Sequence, residues 1–255
     1  INVDYSFNTT ATKEMSYLAK QPFYNVAGEI MGYYGGSNPN RVTRTNYDDR
    51  YYVFNAYADY TKTFAEKHYF KAMLGFNQEH AQYNSVSAER RNLIINEVPY
   101  INLASGDRFA YDGINEYAIR GAFSRINYSY ADRYLVEFNG RYDGTSKFAQ
   151  RDRFAFFPSV SVGWRVDNEP FFEPIKKTIN QLKFRASYGN LGNQNIDLYY
   201  PYIATMTAAE VNYLINGDRP MSVYAPGLVS STLTWETVTQ KNFGVDFGFL
   251  DNRLN

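Results

Sequence analysis

Two histidines, His68 and His80, are the chain's whole supply of imidazole, and it has no cysteine. A thiolate nucleophile, a disulfide framework and a thiolate metal site are therefore excluded. His68 falls beside a short turn and His80 near the end of a strand-like run, so a solvated or interfacial place is expected for both. No G-x-S-x-G, H-E-x-x-H or P-loop pattern occurs. GNLGNQ (189–194) has the glycines of a phosphate loop, but no helical pattern follows it to supply an anion-binding N-terminus. It reads as a strand exit and turn. Asp48–Asp49 and Asp112–Gly113 offer oxygen ligands, yet the spacing of a full calcium set is missing and turn chemistry is expected. No catalytic residue, metal site or cofactor is expected.

What the chain has in quantity is aromatic: 25 Tyr and 19 Phe, 18% aromatic with the two Trp. YYGGSNPN (33–40) and YYPY (199–202) concentrate them in irregular segments. Tyr33, Tyr34, Tyr199 and Tyr200 are candidates for stacking a sugar ring or a peptide side chain, since an ordered Tyr offers a flat surface at low entropic cost. The same rings could instead pack under loops or sit at a membrane boundary. Trp235 is expected to anchor the strand that follows it at such a boundary, and Glu236 beside it to be solvated.

These residues must be positioned by strands. FAFFPSVSVGWRV (154–166) places an apolar residue at every second position, with Phe157 the one intruder on the polar side. The same alternation runs through 51–62, 68–79, 134–143, 182–189 and 241–249. Residues 117–130 are less regular, with an apparent change of phase near Phe123 to Ile126 that fits either a bulge or a misplaced strand boundary. Residues 1–8 read as the tail of another strand. About eight strands result, with no amphipathic helix of comparable strength. Short turns at 64–67, 131–133 and 251–253 alternate with long connections at 11–50, 84–114 and 191–236. The link 147–153 is intermediate, and 167–181 has the texture of a short helical turn.

A greasy strand face can meet a protein core or lipid. Formal net charge is zero, which leaves no electrostatic case for nucleic acid. Mean hydropathy is −0.50, and no run of about 18 apolar residues exists to form a membrane helix. A transmembrane barrel is still allowed, because its strands alternate lipid-facing and lumen-facing residues. Two features favour it. Tyr134 to Tyr142 and Phe154 to Trp164 would span about 21 and 26 Å of a bilayer as tilted strands, near the ~25 Å apolar band with its aromatic girdles. Several alternating runs also reach bilayer-crossing length, beyond the five or six residues of ordinary strands. Tyr134, Phe138, Tyr142, Phe154, Trp164, Phe184 and Phe247 are then expected on the lipid and girdle side. Glu137, Arg141, Asp143, Lys183, Arg185 and Asp246 are expected toward the lumen. A soluble all-β carbohydrate-binding or adhesion module is the alternative, and would be a self-contained species needing no detergent.

The stretch RYLVEFNGRYDGTSKFAQRDRFAFFPSVSVGWRVDNEPFF resembles a characteristic segment of the SusC/RagA family of TonB-dependent outer-membrane transporters of Bacteroidetes. LKFRASYGNLGNQNI (182–196) and LTWETVTQKNFGVDFGFLDNRL (233–254) match in the expected order, and INYSYADRYL fits the family's hairpin. Residues 1–125 share only strand texture. The resemblance implies an all-β chain forming part of a large antiparallel barrel of roughly 22 strands around a plug. Residues 1–255 are expected to be a segment of that one barrel domain, with plug, TonB box and barrel C-terminus not present. It further implies import of glycans or peptides, a SusD-like surface lipoprotein as lid and energy from the TonB complex. It sets the long loops outside the cell and the short turns in the periplasm.

Overall fold

The computed structural model describes residues 1–249 except 212, 218, 219 and 231. The expected turn at 251–253 lies outside the described residues. Among the described residues twelve strands form: β1 (Asn2–Leu18), β2 (Pro22–Tyr24), β3 (Ile30–Tyr33), β4 (Arg41–Phe64), β5 (His68–Arg91), β6 (Arg108–Tyr130), β7 (Tyr134–Thr145), β8 (Phe154–Arg165), β9 (Ile179–Asn193), β10 (Ala208–Glu210), β11 (Met221–Val223) and β12 (Glu236–Phe249). Eight of them make one sheet in the order β1-β4-β5-β6-β7-β8-β9-β12, while β2–β3 and β10–β11 are small hairpins within connections. Each long strand pairs with the next long strand in the chain, the meander of a barrel wall.

The strands are longer than the alternation indicated. β4 and β5 each run for 24 residues and β6 for 23. Much of the supposed connections 11–50 and 84–114 is therefore strand, since β1 continues to Leu18, β4 opens at Arg41 and β5 runs on to Arg91. Period 2 fades there because both faces are polar, as in Arg41–Arg50, and pattern reading needs one apolar face. Asp48, Asp49, Asp112 and Gly113 lie in strands and not in turns. A bulge near Phe123 is also absent: β6 and β7 pair without a register shift from Ile119↔Thr145 to Tyr130↔Tyr134.

Two tight hairpin turns carry non-glycine residues in the left-handed region, Ala65 and Glu66 (φ 46° and 58°) and Ala131 and Asp132 (φ 50° and 54°). Two successive positive φ angles match the twist of the flanking strands. Between β8 and β9 the chain makes two 3₁₀ turns, Val166–Asn168 and Pro170–Phe172.

Contacts divide the chain into two compact units. The first comprises Ile1–Tyr5, Val53–Glu79 and the chain from Tyr117 onward. It holds β7, β8, β9, β12 and the nearer parts of β4, β5 and β6. Its best-buried large side chain is Phe148, 1% exposed, with Trp235 packed edge-on against it. The second, Ser6–Tyr52 and His80–Glu116, has a small core of Val42, Leu93 and Ala104 with Ile101 against it. There the Asn40 amide donates to the Leu93 carbonyl (3.2 Å) and to Asn96 Oδ1 (2.7 Å), tying the start of β4 to the 92–107 connection.

Candidate functional site

The candidate site is the two-faced wall of the first unit. Across β6, β7, β8 and β9 the register stacks Tyr130, Tyr134, Trp164 and Phe184 in one row. Tyr128, Val136, Val162 and Ala186 follow in the next row, then Ile126, Phe138, Val160 and Tyr188. Further along, Tyr142 pairs with Phe156 and Gly144 with Phe154. β12 continues this face with Phe243, Val245 and Phe247, which pair with Ala186, Phe184 and Leu182. Tyr134, Phe138, Tyr142, Phe154, Trp164, Phe184 and Phe247 thus all fall on one face. Most of its large side chains are exposed, Phe243 to 86%. Two cations share this face, each against a ring: the Lys241 ammonium sits 5.9 Å from the Tyr188 ring centre and the Arg120 guanidinium, in register with Gly144, 5.5 Å from that of Phe154, as amphipathic side chains lie along apolar surface.

The opposite face collects the charges. Glu137, Arg141, Asp143, Lys183, Arg185 and Asp246 all occupy its register positions. Arg141 grips Asp143 with two donors, each at 2.9 Å. Asp143 fits there because its cross-strand partner is Gly121, where a Cβ would meet the carboxylate. Arg185 pairs with Asp246 at 3.2 Å. Arg125 donates to Asn139 (2.7 Å), which donates to Glu137 (2.8 Å). Phe123 belongs to this face, covering Gly75 beneath the Arg141 guanidinium, and so produced the apparent change of phase. Near the turns at 65–67 and 131–133 this face is hollowed into a cleft of about 1250 Å³, lined by Glu66, Lys67, Asn127, Glu137, Lys183 and Arg185 among others.

Phe157, the intruder in the alternation of β8, is buried on the polar side. Its ring fills the space that a side chain at Gly192 would need and meets Trp235 edge-on at 5.3 Å. Trp235 donates its indole N–H to the Arg153 carbonyl (2.9 Å) and lies between Phe148 and Phe157. These contacts tie the segment before β12 to the 148–157 region through protein packing.

The loop aromatics divide. Tyr199 stacks on Tyr117 at 6.3 Å, with the Lys147 ammonium 5.4 Å from the Tyr117 ring and 5.7 Å from that of Tyr199. Lys147 also donates to the Ile196 carbonyl (2.9 Å), so Tyr199 is part of the packing that holds the loop. Tyr200 is partly exposed beside it. Tyr33 and Tyr34 lie in the other unit, where Tyr34 stays exposed with one side against Phe23 (5.1 Å). His68 accepts or donates a hydrogen bond at the Tyr128 hydroxyl (2.8 Å), and His80 lies 3.6 Å from a Glu116 oxygen and beside the Tyr52 ring.

One residue with a central place was not picked out from the sequence. Glu169, between the two 3₁₀ turns, is only 7% exposed. Its Oε1 accepts from the Tyr134 hydroxyl (2.7 Å) and the Trp164 indole (3.1 Å), and its Oε2 from Arg133 (3.3 Å). Those donors, Tyr134 first, hold its carboxyl below the usual glutamate range against the opposing effect of burial. Beside it Arg165 bridges Asp132 (2.6 Å) and Asp167 (3.2 Å), and Asn168 donates to the Asp132 carbonyl (2.9 Å). The signal was present in the sequence: an acidic residue five positions after the last aromatic of a strand, R-Y at the start of its neighbour, and W-R at its own end.

A meander with one continuous apolar face and one charged face is a segment of outer-membrane barrel wall. The family model for TonB dependent receptor-like β-barrels matches residues 1–255. The chain belongs to that family, and within it to the SusC/RagA group. It is 33% identical over 201 residues to TonB-dependent receptor P3 of Formosa agariphila, covering 78% of this chain and 20% of that protein. To TonB-dependent receptor SusC of Bacteroides thetaiotaomicron it is 31% identical over 226 residues, covering 87% and 21%. The structure of the RagAB peptide transporter superposes with a TM-score of 0.80 at 23% identity, over 98% of this chain and 26% of that one. The chain therefore spans about a fifth of the length of the curated relatives it matches.

Proposed function

We propose that this chain is wall from a TonB-dependent importer that carries glycans or peptides across the outer membrane of a Bacteroidetes-like cell. It works with a SusD-like surface lipoprotein above the barrel and draws energy through the TonB complex. No covalent step is involved. Ligand is captured at the outer face, the plug rearranges, and cargo passes along a polar lumen.

The observation that carries this reading is the division of one sheet into a predominantly apolar face and a charged face. The apolar face of Tyr134, Phe138, Tyr142, Phe154, Trp164, Phe184 and Phe247 meets lipid. A Lys or Arg in lipid at mid-depth costs roughly 2–4 kcal/mol, so Lys183 and Arg185 face the lumen with Glu137, Arg141, Asp143 and Asp246. The connections at 19–40, 92–107 and 194–235 then lie outside the cell, with Tyr33, Tyr34 and Tyr200 available to ligand or lid. The turns at 65–67 and 131–133 lie in the periplasm.

The test is extraction of the native polypeptide from outer membranes with detergent. The expected result is a denatured mass several times the 29.5 kDa of this segment, a co-purifying surface lipoprotein, and uptake that stops when the inner membrane is depolarised. A soluble native species of segment size would overturn the proposal in favour of a self-contained binding module.

A further inference from the structure

The second unit contains a cleft of about 670 Å³, within the range of pockets that enclose small ligands. Three arginines line it, Arg44, Arg90 and Arg108, together with Tyr100, Ile101 and Phe109. The arginines differ in what they already hold. Arg90 is committed to backbone, its Nε to the Gly106 carbonyl (3.4 Å) and its Nη1 to the Ile101 carbonyl (3.3 Å), which fixes the connection that carries Tyr100. Arg44 lies 5.4 Å from the centre of the Tyr100 ring. Neither Arg44 nor Arg108 has a carboxylate partner among the described residues. The one acid at the cleft, Glu89, is already engaged by Arg91 (3.0 Å) and Thr43 (3.4 Å). Arg91 is in turn held 4.3 Å over the Phe109 ring.

We propose that this cleft binds the anionic group of an acidic saccharide. Both line the one cleft and neither is neutralised by a carboxylate, so an anion bound there offsets their charge. Their planar forks match the oxygens of a carboxylate, sulfate or phosphate. Tyr100 is 52% exposed, and its free ring area beside Arg44 offers the flat apolar platform on which a sugar ring stacks. A small inorganic anion would use the arginines alone and leave Tyr100 idle. The shared chemistry has two sources, a soluble acidic oligosaccharide or an acidic glycan linked to outer-leaflet lipid. Only if the source is soluble does the site name a cargo class, and that step rests on the import reading; the anion binding itself does not.

The experiment uses the full-length protein in detergent and equilibrium binding of oligogalacturonate, with its methyl ester as the uncharged comparison. The acid is expected to bind at least about tenfold tighter than the ester, because only the acid makes charge-assisted hydrogen bonds to the guanidinium groups. Arg44→Gln with Arg108→Gln is expected to remove that preference and the salt dependence with it. Tyr100→Ala is expected to weaken acid and ester alike. Lysine at both arginine positions should keep the salt dependence and lose part of the affinity. Heat-modifiable migration on gels shows that each variant has folded. Mass spectrometry of the extracted protein separates the sources: an acidic glycolipid carried by wild type and lost from the Gln variant points to the membrane, and binding of the soluble acid without one points to cargo. Equal affinity for acid and ester, or a folded Gln variant that binds the acid as wild type does, overturns the proposal. Uptake is not part of the readout, so failure of the import reading would leave this result standing.

Discussion

Glu169 shows how a signature stretch can be explained by its atoms. Tyr134 and Trp164 each have an apolar ring that belongs on the greasy face and a polar tip that needs a partner. One carboxylate oxygen serves both tips, and Arg133 balances its charge. Tyr134→Phe and Trp164→Phe should therefore not be additive. The first deletion leaves Glu169 with one donor fewer, and the second matters more once that donor is gone. A double-mutant cycle on unfolding midpoints in detergent checks this, and a purely additive cycle would refute a shared acceptor. The pH dependence has a definite sign. A carboxyl whose folded pKa is depressed contributes stability that is complete above the ordinary value of 4.5 and is lost as pH falls through the lower, folded value. Unfolding midpoints measured downward from pH 7 should be steeper in wild type than in Glu169→Gln, with the divergence confined to the acid side of that value. The alternation put Tyr134 and Trp164 on the apolar face, as the register does. It did not show their acceptor, because that contact depends on a turn placing residue 169 under two strands, which no alternation records.

At the scale of the strand, the phase of the apolar residues was readable and the ends were not. Tyr134 to Tyr142 and Phe154 to Trp164 alternate in sequence, and the register puts the apolar members of both runs on one face, as period 2 indicates. Beyond those runs polar residues fall on both faces, as in Arg41–Arg50 and Glu79–Arg91, and a strand there has no reason to alternate. The same logic explains Phe157 and Phe123, which sit on the polar face to cover glycines on the neighbouring strand; period alone misreads them as errors. The two faces also make unlike demands on substitution. Val160 pairs with Phe138 and Tyr188 in the middle of the apolar face, and Ser161 next to it pairs with Glu137 and Ser187 on the charged one. Val160→Arg should cost about 2–4 kcal/mol, whereas Ser161→Arg meets Glu137 and should cost less than 1 kcal/mol. Folding titrations of the two full-length variants into lipid vesicles measure the difference. Equal costs would mean that the apolar face does not meet lipid. Gly121→Ala addresses the charged face. A Cβ there meets Asp143, which Arg141 already holds with two hydrogen bonds, so the variant must break that pairing or shift β6. A loss of about 1–3 kcal/mol is expected from the same titration.

At the scale of the molecule, the sheet has two open edges. β1 and β12 end the strand order, and each has a neighbour on one side only. In water such edges template aggregation. In lipid they are worse, since every unpaired N–H and C=O there costs several kcal/mol and only closure removes the edge. Local pattern fixes the pairing of neighbours through the register of each hairpin, but closure belongs to the whole barrel, and eight strands of a wall show no sign of it in their own residues. This gives a sharp difference between the segment and the protein that carries it. Residues 1–255 refolded alone with lipid vesicles should give no heat-modifiable band, and the amides of β1 and β12 should exchange within seconds to minutes. In the full-length protein the same amides should be protected for hours, because both edges then have partners. Hydrogen exchange read by mass spectrometry on peptides from Asn2–Leu18 and Glu236–Phe249 makes the comparison directly. Protection of both strands in the isolated segment would mean that its edges meet each other, and the wall would then have to be redrawn as a small barrel closed on itself.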